Sequence, residues 1–274
     1  MKLVYQPKKW AKNAAHRQKT EREWKGLHFA EWTMDCYLHP EHRPPMMPLI
    51  ADRVTLYVLL HGDYRAQLEM QYICGQVRES LDSAYLFAAA AVRAHQLAKT
   101  EEITNPAAEQ AVRIGSMVPE TVFALIAANE WDWAQDFANA HDPLLAALLS
   151  GDDAAARKSL KRLLDSMDEA KHQWGAYLQD FQEKIFAKQI WLAMLNGDAA
   201  RMQAAMEARI HEARRLPWDY SAVIDLDAVA QVKLAARRGL HIDIPVIEIP
   251  AYYLDFSHRI DRNVTRLPEV PEKI

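Results

Sequence analysis

The sequence predicts an all-α protein built of stacked antiparallel helix pairs, and two observations carry this prediction. Ala, Leu, Glu, Lys, Arg, Gln and Met dominate the chain, whereas only 8 of its 274 residues are Gly. These common residues are the strong helix formers. The second observation is a repeated phrase, because residues 148–155 read LLSGDDAA and residues 194–200 read MLNGDAA.

Each copy of the repeated phrase predicts a joint between two helices. Gly151 and Gly197 can take the left-handed conformation that ends a helix, and no Cβ opposes it. Asp152 and Asp198 follow them and can accept the free N–H groups at the start of the next helix. Repeated joints of this kind are typical of helical-hairpin stacks.

Two weaker copies of the joint extend the pattern toward the N-terminus. Residues 59–63 read LLHGD, which predicts that a helix ends at His61 and that the chain turns at Gly62 and Asp63. Asn129 stands where Gly would be expected, and Asn is the usual substitute at a left-handed helix end. A short helix is therefore expected to begin at Trp131.

The other helices are placed by their start and stop signals. Prolines at 40, 44, 45 and 48 predict a loop after the first helix, because proline restricts both itself and its predecessor. Asp142 followed by Pro143 fits the start of a helix. In chain order, helices are expected over 8–36, 49–61, 64–76 and 80–99, from 104, over 118–129, from 131, over 143–150, from 153, over 173–196, from 199, and over 221–238.

The character of the chain changes after Gly239. Residues 241–249 alternate apolar and polar side chains and contain Pro245, which predicts an extended segment or a short edge strand. The tail has little order signal. The chain is expected to be a single all-α domain over 1–274, with a possible subdivision into 1–115, 116–258 and a poorly ordered tail over 259–274.

The apolar runs, the N-terminus and the cysteine count indicate the cellular compartment of the protein. The apolar runs 84–92 and 122–128 are far shorter than the roughly 20 residues of a membrane-spanning helix. The N-terminus lacks an apolar stretch of signal-peptide length. Cys36 and Cys74 are too few for a disulfide framework. A cytoplasmic protein with two reduced thiols is therefore expected.

Charge is unevenly distributed along the chain. Residues 1–25 hold eight Lys and Arg against two Glu, a charge of +6, so the other 249 residues carry −10 of the total −4. An acidic body is unsuited to a phosphate backbone and suited to a basic protein partner. The basic stretch is interpreted as the solvated face of a first helix with Trp10, Trp24 and Leu27 inward, or alternatively as a nucleic-acid arm.

The candidate chemical motifs are weak. Cys36, His39 and His42 have metal-like spacing, but a structural zinc site generally needs four ligands and no second pair has a familiar spacing. Phosphate-cradling, dinucleotide and nucleophile-elbow motifs are absent from the sequence. Asp132 and Asp136 could belong to an acid–base or divalent-cation site, or to the solvent face of a short helix. No catalytic residue, metal or cofactor is predicted.

An acidic and aromatic set near the C-terminus is the predicted partner-binding surface. Its aromatic residues are expected to be exposed, and aromatic anchors ringed by charge are typical of protein interfaces. Favourable charge near a helix start is the alternative for the aspartates, and an acid–base or cation site is a third. The set contains Trp218, Asp219, Tyr220, Asp225, Asp227, Asp243, Glu248, Tyr252 and Tyr253.

The stretch 235–244, AARRGLHIDI, ends a helix and enters the extended segment. Together with the repeated joints, it resembles the Imm49 family of bacterial immunity proteins of polymorphic toxin systems, over roughly residues 120–255. The resemblance implies a mostly helical protein that binds and neutralises a cognate toxin, often a nuclease delivered against neighbouring bacteria. Two other interpretations stay open: a helical-repeat scaffold or adaptor with an unrelated partner, and an α-helical enzyme whose site is formed by distant residues.

Overall fold

The computed structural model describes residues 29–45, 49–113, 115, 117–174, 178–213, 224–246 and 248–270. Over these residues the fold is all-α, with twelve α-helices and no strand, which confirms the predicted fold class. A 3-10 turn at Pro40–His42 lies in the proline-rich loop. The helices are α1 (Phe29–Leu38), α2 (Arg53–Ile73), α3 (Val77–Leu97), α4 (Pro106–Arg113), α5 (Val118–Ala127), α6 (Trp131–His141), α7 (Pro143–Ser150), α8 (Asp153–Trp174), α9 (Leu178–Leu195), α10 (Ala199–Ala213), α11 (Leu226–Arg237) and α12 (Ala251–Leu254).

The described residues form two compact units. The N-terminal unit contains residues 29–134 and, from the other end of the chain, residues 255–270. The second unit contains residues 135–254. Within the second unit, α7 packs on α8 and α9 packs on α10, as helical hairpins do. The predicted division at residues 115 and 258 stays a prediction.

The core of the N-terminal unit is the hairpin of α2 and α3. Leu56, Leu60 and Leu68 are fully buried at helical spacing on α2. On α3, Ala84 and Ala88 are also fully buried. The contact between α2 and α3 is the most extensive between helices of the unit's described residues. The apolar helix α5 packs against α3 on another side.

The two predicted glycine joints are confirmed. Gly151 ends α7 with φ 77°, and Gly197 lies between α9 and α10 with φ 68°. Asp152 Oδ1 accepts a hydrogen bond of 3.0 Å from the N–H of Ala155. Asp198 Oδ1 accepts the equivalent bond of 2.9 Å from Arg201. Both joints therefore stop one helix with Gly and cap the next with Asp.

The predicted asparagine joint is also confirmed. Asn129 has φ 63°, the one non-glycine residue with positive φ in the described chain. The N–H of Glu130 donates 2.8 Å to the carbonyl of Leu125, five residues earlier. The same five-residue bond follows Gly239, and it closes a helix end whose carbonyls would otherwise lack partners.

The predicted joint at Gly62 and Asp63 is wrong. Both residues lie inside α2, which continues to Ile73, and the turn falls at Gly75 with φ 81°. A helix interior tolerates Gly at about 1 kcal/mol relative to Ala. Leu60 and Leu68 continue one buried stripe through this point. Burial of that stripe outweighs the cost of Gly62.

Substitution of these glycines by alanine is expected to give effects of opposite sign. Gly197→Ala forces a Cβ into the left-handed region and is expected to lower the free energy of unfolding by about 1–2 kcal/mol. Gly62→Ala is expected to raise it by about 0.5–1 kcal/mol, because a Cβ there meets no atom within 4 Å and Ala favours the helix. Urea unfolding of the two variants measures both changes. Equal shifts in one direction would contradict the assigned roles.

The C-terminal elements differ from expectation in detail. Helix α11 begins at Leu226, whereas the predicted start at residue 221 lies outside the described residues. Residues 240–246 alternate as predicted, with Ile242 and Ile244 buried, but they form no strand. The side chain of Gln203 accepts 3.3 Å from the N–H of Asp243, a bond that a neighbouring strand would otherwise supply.

Residues 255–270, called here the C-terminal strap, make specific contacts within the N-terminal unit. The side-chain amide of Asn129 donates to the carbonyls of Asp255 at 2.9 Å and His258 at 3.0 Å. The hydroxyl of Tyr57 donates 3.4 Å to the carbonyl of Pro268. The strap therefore has defined partners along most of its length, although its sequence shows no periodic pattern.

No helix among the described residues is both long enough and apolar enough to cross a membrane.

Candidate protein-binding surfaces

Two aspartates of the predicted partner-binding set, Asp225 and Asp227, serve the fold of the second unit. Asp225 caps α11, because its Oδ1 accepts 2.9 Å from the N–H of Ala228. The same Oδ1 accepts 3.0 Å from the guanidinium of Arg209 on α10. Asp227 Oδ2 lies 3.4 Å from that guanidinium. These bonds tie α10 to the start of α11 and engage both carboxylates within the protein.

The other described members of the set are unevenly exposed. Asp243 is exposed, and Glu248 and Tyr252 are half-buried. Tyr253 is fully buried, so the expectation that it is an exposed aromatic anchor is wrong. Trp218, Asp219 and Tyr220 lie outside the described residues. The N–H of Asp225 donates 2.9 Å to the carbonyl of Glu248, so the structure brings these two members together. The binding role of the set stays a prediction.

Variants of Asp225 are expected to separate the contributions that its two hydrogen bonds, from Ala228 and from Arg209, make to stability. Asp225→Ala removes the cap and one of the partners of Arg209, and is expected to lower the free energy of unfolding by about 2 kcal/mol. Asp225→Asn keeps a capping oxygen, so its free energy of unfolding is expected to fall by about half as much as that of Asp225→Ala. Asp243→Asn, at an exposed side chain, is the matched control and should leave stability unchanged. Chemical denaturation checks all three, and an Ala variant as stable as the control would contradict the structural role.

Cys36, His39 and His42, the residues of the metal-like motif, do not form a metal site. Cys36 is buried, and burial raises the pKa of its thiol. His39 and His42 are exposed in the following loop, where His42 Nδ1 donates 2.8 Å to Asp35 Oδ2. Among the described residues, no group of three or more His, Cys, Asp or Glu side chains is placed to hold a metal ion. Asp132 and Asp136 are exposed on α6, as the solvent-face interpretation expects.

An open groove of about 800 Å³ lies on the N-terminal unit, between α1, the α2–α3 hairpin and the C-terminal strap. Called here the acidic groove, it has a surface that is about half apolar and half polar, with carboxylates among the polar groups. Glu31 and Asp35 on α1 and Glu269 on the strap supply three carboxylates, and Arg266 supplies one cation. The apolar lining consists of Ala30, Met34, Leu38, Leu86, Val264, Leu267 and Pro268.

Helix α1 presents the groove with two parallel stripes. Ala30, Met34 and Leu38 follow one another at intervals of four residues and form an apolar stripe. Glu31 and Asp35 have the same interval and form an acidic stripe beside it. Residues four apart on a helix lie one above the other on the same face. The local sequence of α1 therefore fixes both the apolar and the charged character of this wall.

The electrostatics at the groove favour positive charge. The pKa of Tyr64, which lines the groove, is raised to about 12, chiefly by burial and further by the nearby carboxylates of Asp63 and Glu31. Burial also raises the pKa of Asp63, although the Thr33 hydroxyl donates to it. The contribution of the carboxylates to Tyr64 agrees with the charge of the lining, in which three carboxylates stand against one guanidinium. This excess of negative charge favours a positively charged occupant.

The sequence interpretation did not identify this groove. The paired stripes of α1 are a readable signal, since an apolar and an acidic residue recur together at four-residue intervals. The predicted first helix reached only to residue 36, so Leu38 was assigned to the loop that follows. The strap carried no signal, because its contacts use single side chains and backbone carbonyls instead of a repeating face.

The fold and the groove define the class of this protein: an all-α protein of packed helix pairs that bears an acidic groove with a partly apolar lining. Comparison of the chain with family models, with curated proteins and with solved structures finds no match. The resemblance to the Imm49 family thus stays a prediction, and function is argued from the surfaces of this chain.

Proposed function

We propose that this protein is an immunity protein that binds and neutralises a cognate antibacterial toxin. The proposed toxin is a nuclease effector used in competition between bacteria, and the proposed compartment is the cytoplasm. Neutralisation is by occlusion of the toxin's active site. On this proposal the protein acts by binding alone, with no catalytic residue and no cofactor.

The acidic groove is the observation that carries this proposal. Apolar side chains such as Leu38 and Val264 are 47% and 79% exposed there, beside three carboxylates. Exposed apolar surface rimmed by charge is typical of a surface that binds another protein. The charge of −10 outside the first 25 residues adds a long-range attraction for a basic partner.

A nuclease is a suitable basic partner on physical grounds. Its active-site cleft must attract a phosphate backbone, so it is lined by Lys and Arg. An acidic protein is steered to such a cleft, and carboxylates take the positions that phosphates would occupy. Tight binding then depends on a few buried apolar contacts at the centre of the interface.

Co-expression with the product of the neighbouring gene, the proposed toxin, tests the proposed function. Cells that make the toxin alone should stop growing, whereas cells that also make this protein should grow and yield a co-purifying complex. If growth is not rescued and no complex forms, the proposal is wrong. A stable complex without rescue would favour the alternative, a helical scaffold or adaptor.

A further inference from the structure

We propose that the acidic groove is the docking site for a basic amphipathic helix of the partner protein. The inference rests on the proposed function only for the identity of that partner. The groove itself defines the chemistry: one apolar stripe on the partner helix, flanked by Lys or Arg at intervals of four residues.

The spacing on α1 sets the form of the occupant. The apolar stripe runs from Ala30 through Met34 to Leu38, a length of about 12 Å at 1.5 Å per residue. A helix laid along it presents its own residues at intervals of three and four, which is the usual way a helix occupies a groove. Met34 adds an adaptable surface, since its side chain is flexible and polarizable.

The strap forms the opposite wall and is already in position. Val264, Leu267 and Pro268 line the groove, and Tyr57 donates to the carbonyl of Pro268. Nearer the start of the strap, Arg262 pairs with Glu130. A wall that is ordered before binding reduces the entropy lost on association.

Charge selects a basic occupant over other helices. Glu31 and Asp35 lie along one side of the apolar stripe, and Glu269 lies on the strap. Lys or Arg beside the apolar face of an incoming helix would meet these carboxylates, whereas an acidic helix or a nucleic acid would be repelled. Arg266 is the one basic side chain among the described groove-lining residues.

Direct titration with synthetic helices tests the groove. The probe is an amphipathic peptide of Leu and Lys, about 14 residues long, which spans about 21 Å as a helix. A scrambled peptide of the same composition controls for charge alone. The full-length protein is titrated against each labelled peptide by fluorescence anisotropy, and the amphipathic peptide is expected to bind at least about tenfold more tightly.

Substitutions at exposed positions place the site without unfolding the protein. The double variant Leu38→Lys with Val264→Lys adds two cations to the groove at side chains that are 47% and 79% exposed. Leu163→Lys is the matched control, at a leucine on α8 that is 44% exposed and lies in the other unit. The double variant is expected to weaken peptide binding at least about tenfold, and the control by less than about twofold. Equal affinity of the double variant and the wild type would overturn the inference.

The same variants distinguish this inference from the proposed function. If the wild type rescues cells from the toxin and the double variant rescues equally well, the groove is not the docking site and the immunity function stands. If the wild type fails to rescue, the immunity function is wrong, and the peptide titration decides on the groove by itself. Light scattering of the free protein adds a third outcome, because a dimer broken by the double variant would show that a second copy occupies the groove.

Discussion

Lowering the pH from about 7.5 to about 4.5 is expected to cost the N-terminal unit about 2–3 kcal/mol of stability through His61 alone. His61 lies at the centre of the α2–α3 hairpin, and its pKa is lowered from 6.5 to about 4. Burial is the largest cause, and the charges of Arg65 and His95 act in the same direction. The carbonyl of Phe87, which accepts from His61 Nδ1 at 2.9 Å, acts against them.

The direction of this pH effect follows from which state binds the proton first. As the pH falls through about 6.5, His61 in the unfolded chain takes up a proton while the folded histidine stays neutral. Stability is therefore complete above about pH 6.5 and is lost progressively down to about pH 4. Asp63 has the opposite sign, because its raised pKa lets the folded protein bind a proton first.

A single variant isolates the contribution of His61. His61→Gln keeps a donor toward the Phe87 carbonyl and removes the titration, while Asp63 remains in both proteins. The free energy of unfolding of each protein is measured by urea denaturation at several pH values. The wild type is expected to lose about 2–3 kcal/mol more than the variant between about pH 7.5 and 4.5. Parallel pH profiles for the two proteins would show that His61 is not buried neutral.

Truncation of Phe87 is expected to have the largest effect on stability. Phe87 is 1% exposed, and its ring stacks on that of His61 with centroids 3.8 Å apart and planes 22° apart. The guanidinium of Arg65 lies 5.9 Å from the ring centroid. Phe87→Ala removes these contacts and leaves a cavity in the hairpin, so a loss of about 3–5 kcal/mol is expected.

Two comparisons make the Phe87 result specific. Val264→Ala, at a side chain 79% exposed in the same unit, should change the free energy of unfolding by less than about 0.5 kcal/mol. Phe87→Leu refills part of the cavity and should cost less than Phe87→Ala. Leu86 lines the acidic groove next to Phe87, so the Ala variant should also bind the amphipathic peptide more weakly. A Phe87→Ala protein as stable as Val264→Ala would contradict the assigned core.

Local chemistry made much of this fold predictable. Gly151 and Gly197 end helices because a left-handed residue is needed there, and the aspartates after them cap the next helices. Asp142 caps α7 for the same reason, with its Oδ1 accepting from Leu144 and Leu145. These effects act within a few residues, so they are visible in the sequence without any knowledge of tertiary structure.

Other features of the fold depend on tertiary contacts and could not be predicted from the sequence. Gly62 carries the same local signal as Gly151, but the buried stripe of α2 continues through it. Tyr253 was expected to be exposed, and it is buried because α12 packs on α11. The strap contacts of Asn129 and Tyr57 join residues more than a hundred positions apart, as with Asn129 and Asp255. No local pattern encodes such pairs.

The candidate site likewise combines features that the local sequence predicts with features that only the tertiary structure shows. The two stripes of α1 are written in adjacent residues, and Glu31 with Met34 and Asp35 with Leu38 could have been read as one amphipathic wall. Asp225 and Asp227 were predicted to bind a partner protein because the sequence does not show that Arg209, on a different helix, lies beside them. Only the assembled structure shows which carboxylates hold helices together and which line the acidic groove.

Inhibition of the purified toxin by this protein tests the central claim most directly. The product of the neighbouring gene, the proposed toxin, is assayed for cleavage of plasmid DNA and of RNA while wild-type protein is added stepwise. Complete inhibition near one equivalent is expected, with the Leu38→Lys, Val264→Lys double variant needing a large excess and Leu163→Lys matching the wild type. Full toxin activity at a large molar excess of the wild-type protein would contradict the claim that this protein acts by binding and occluding a toxin.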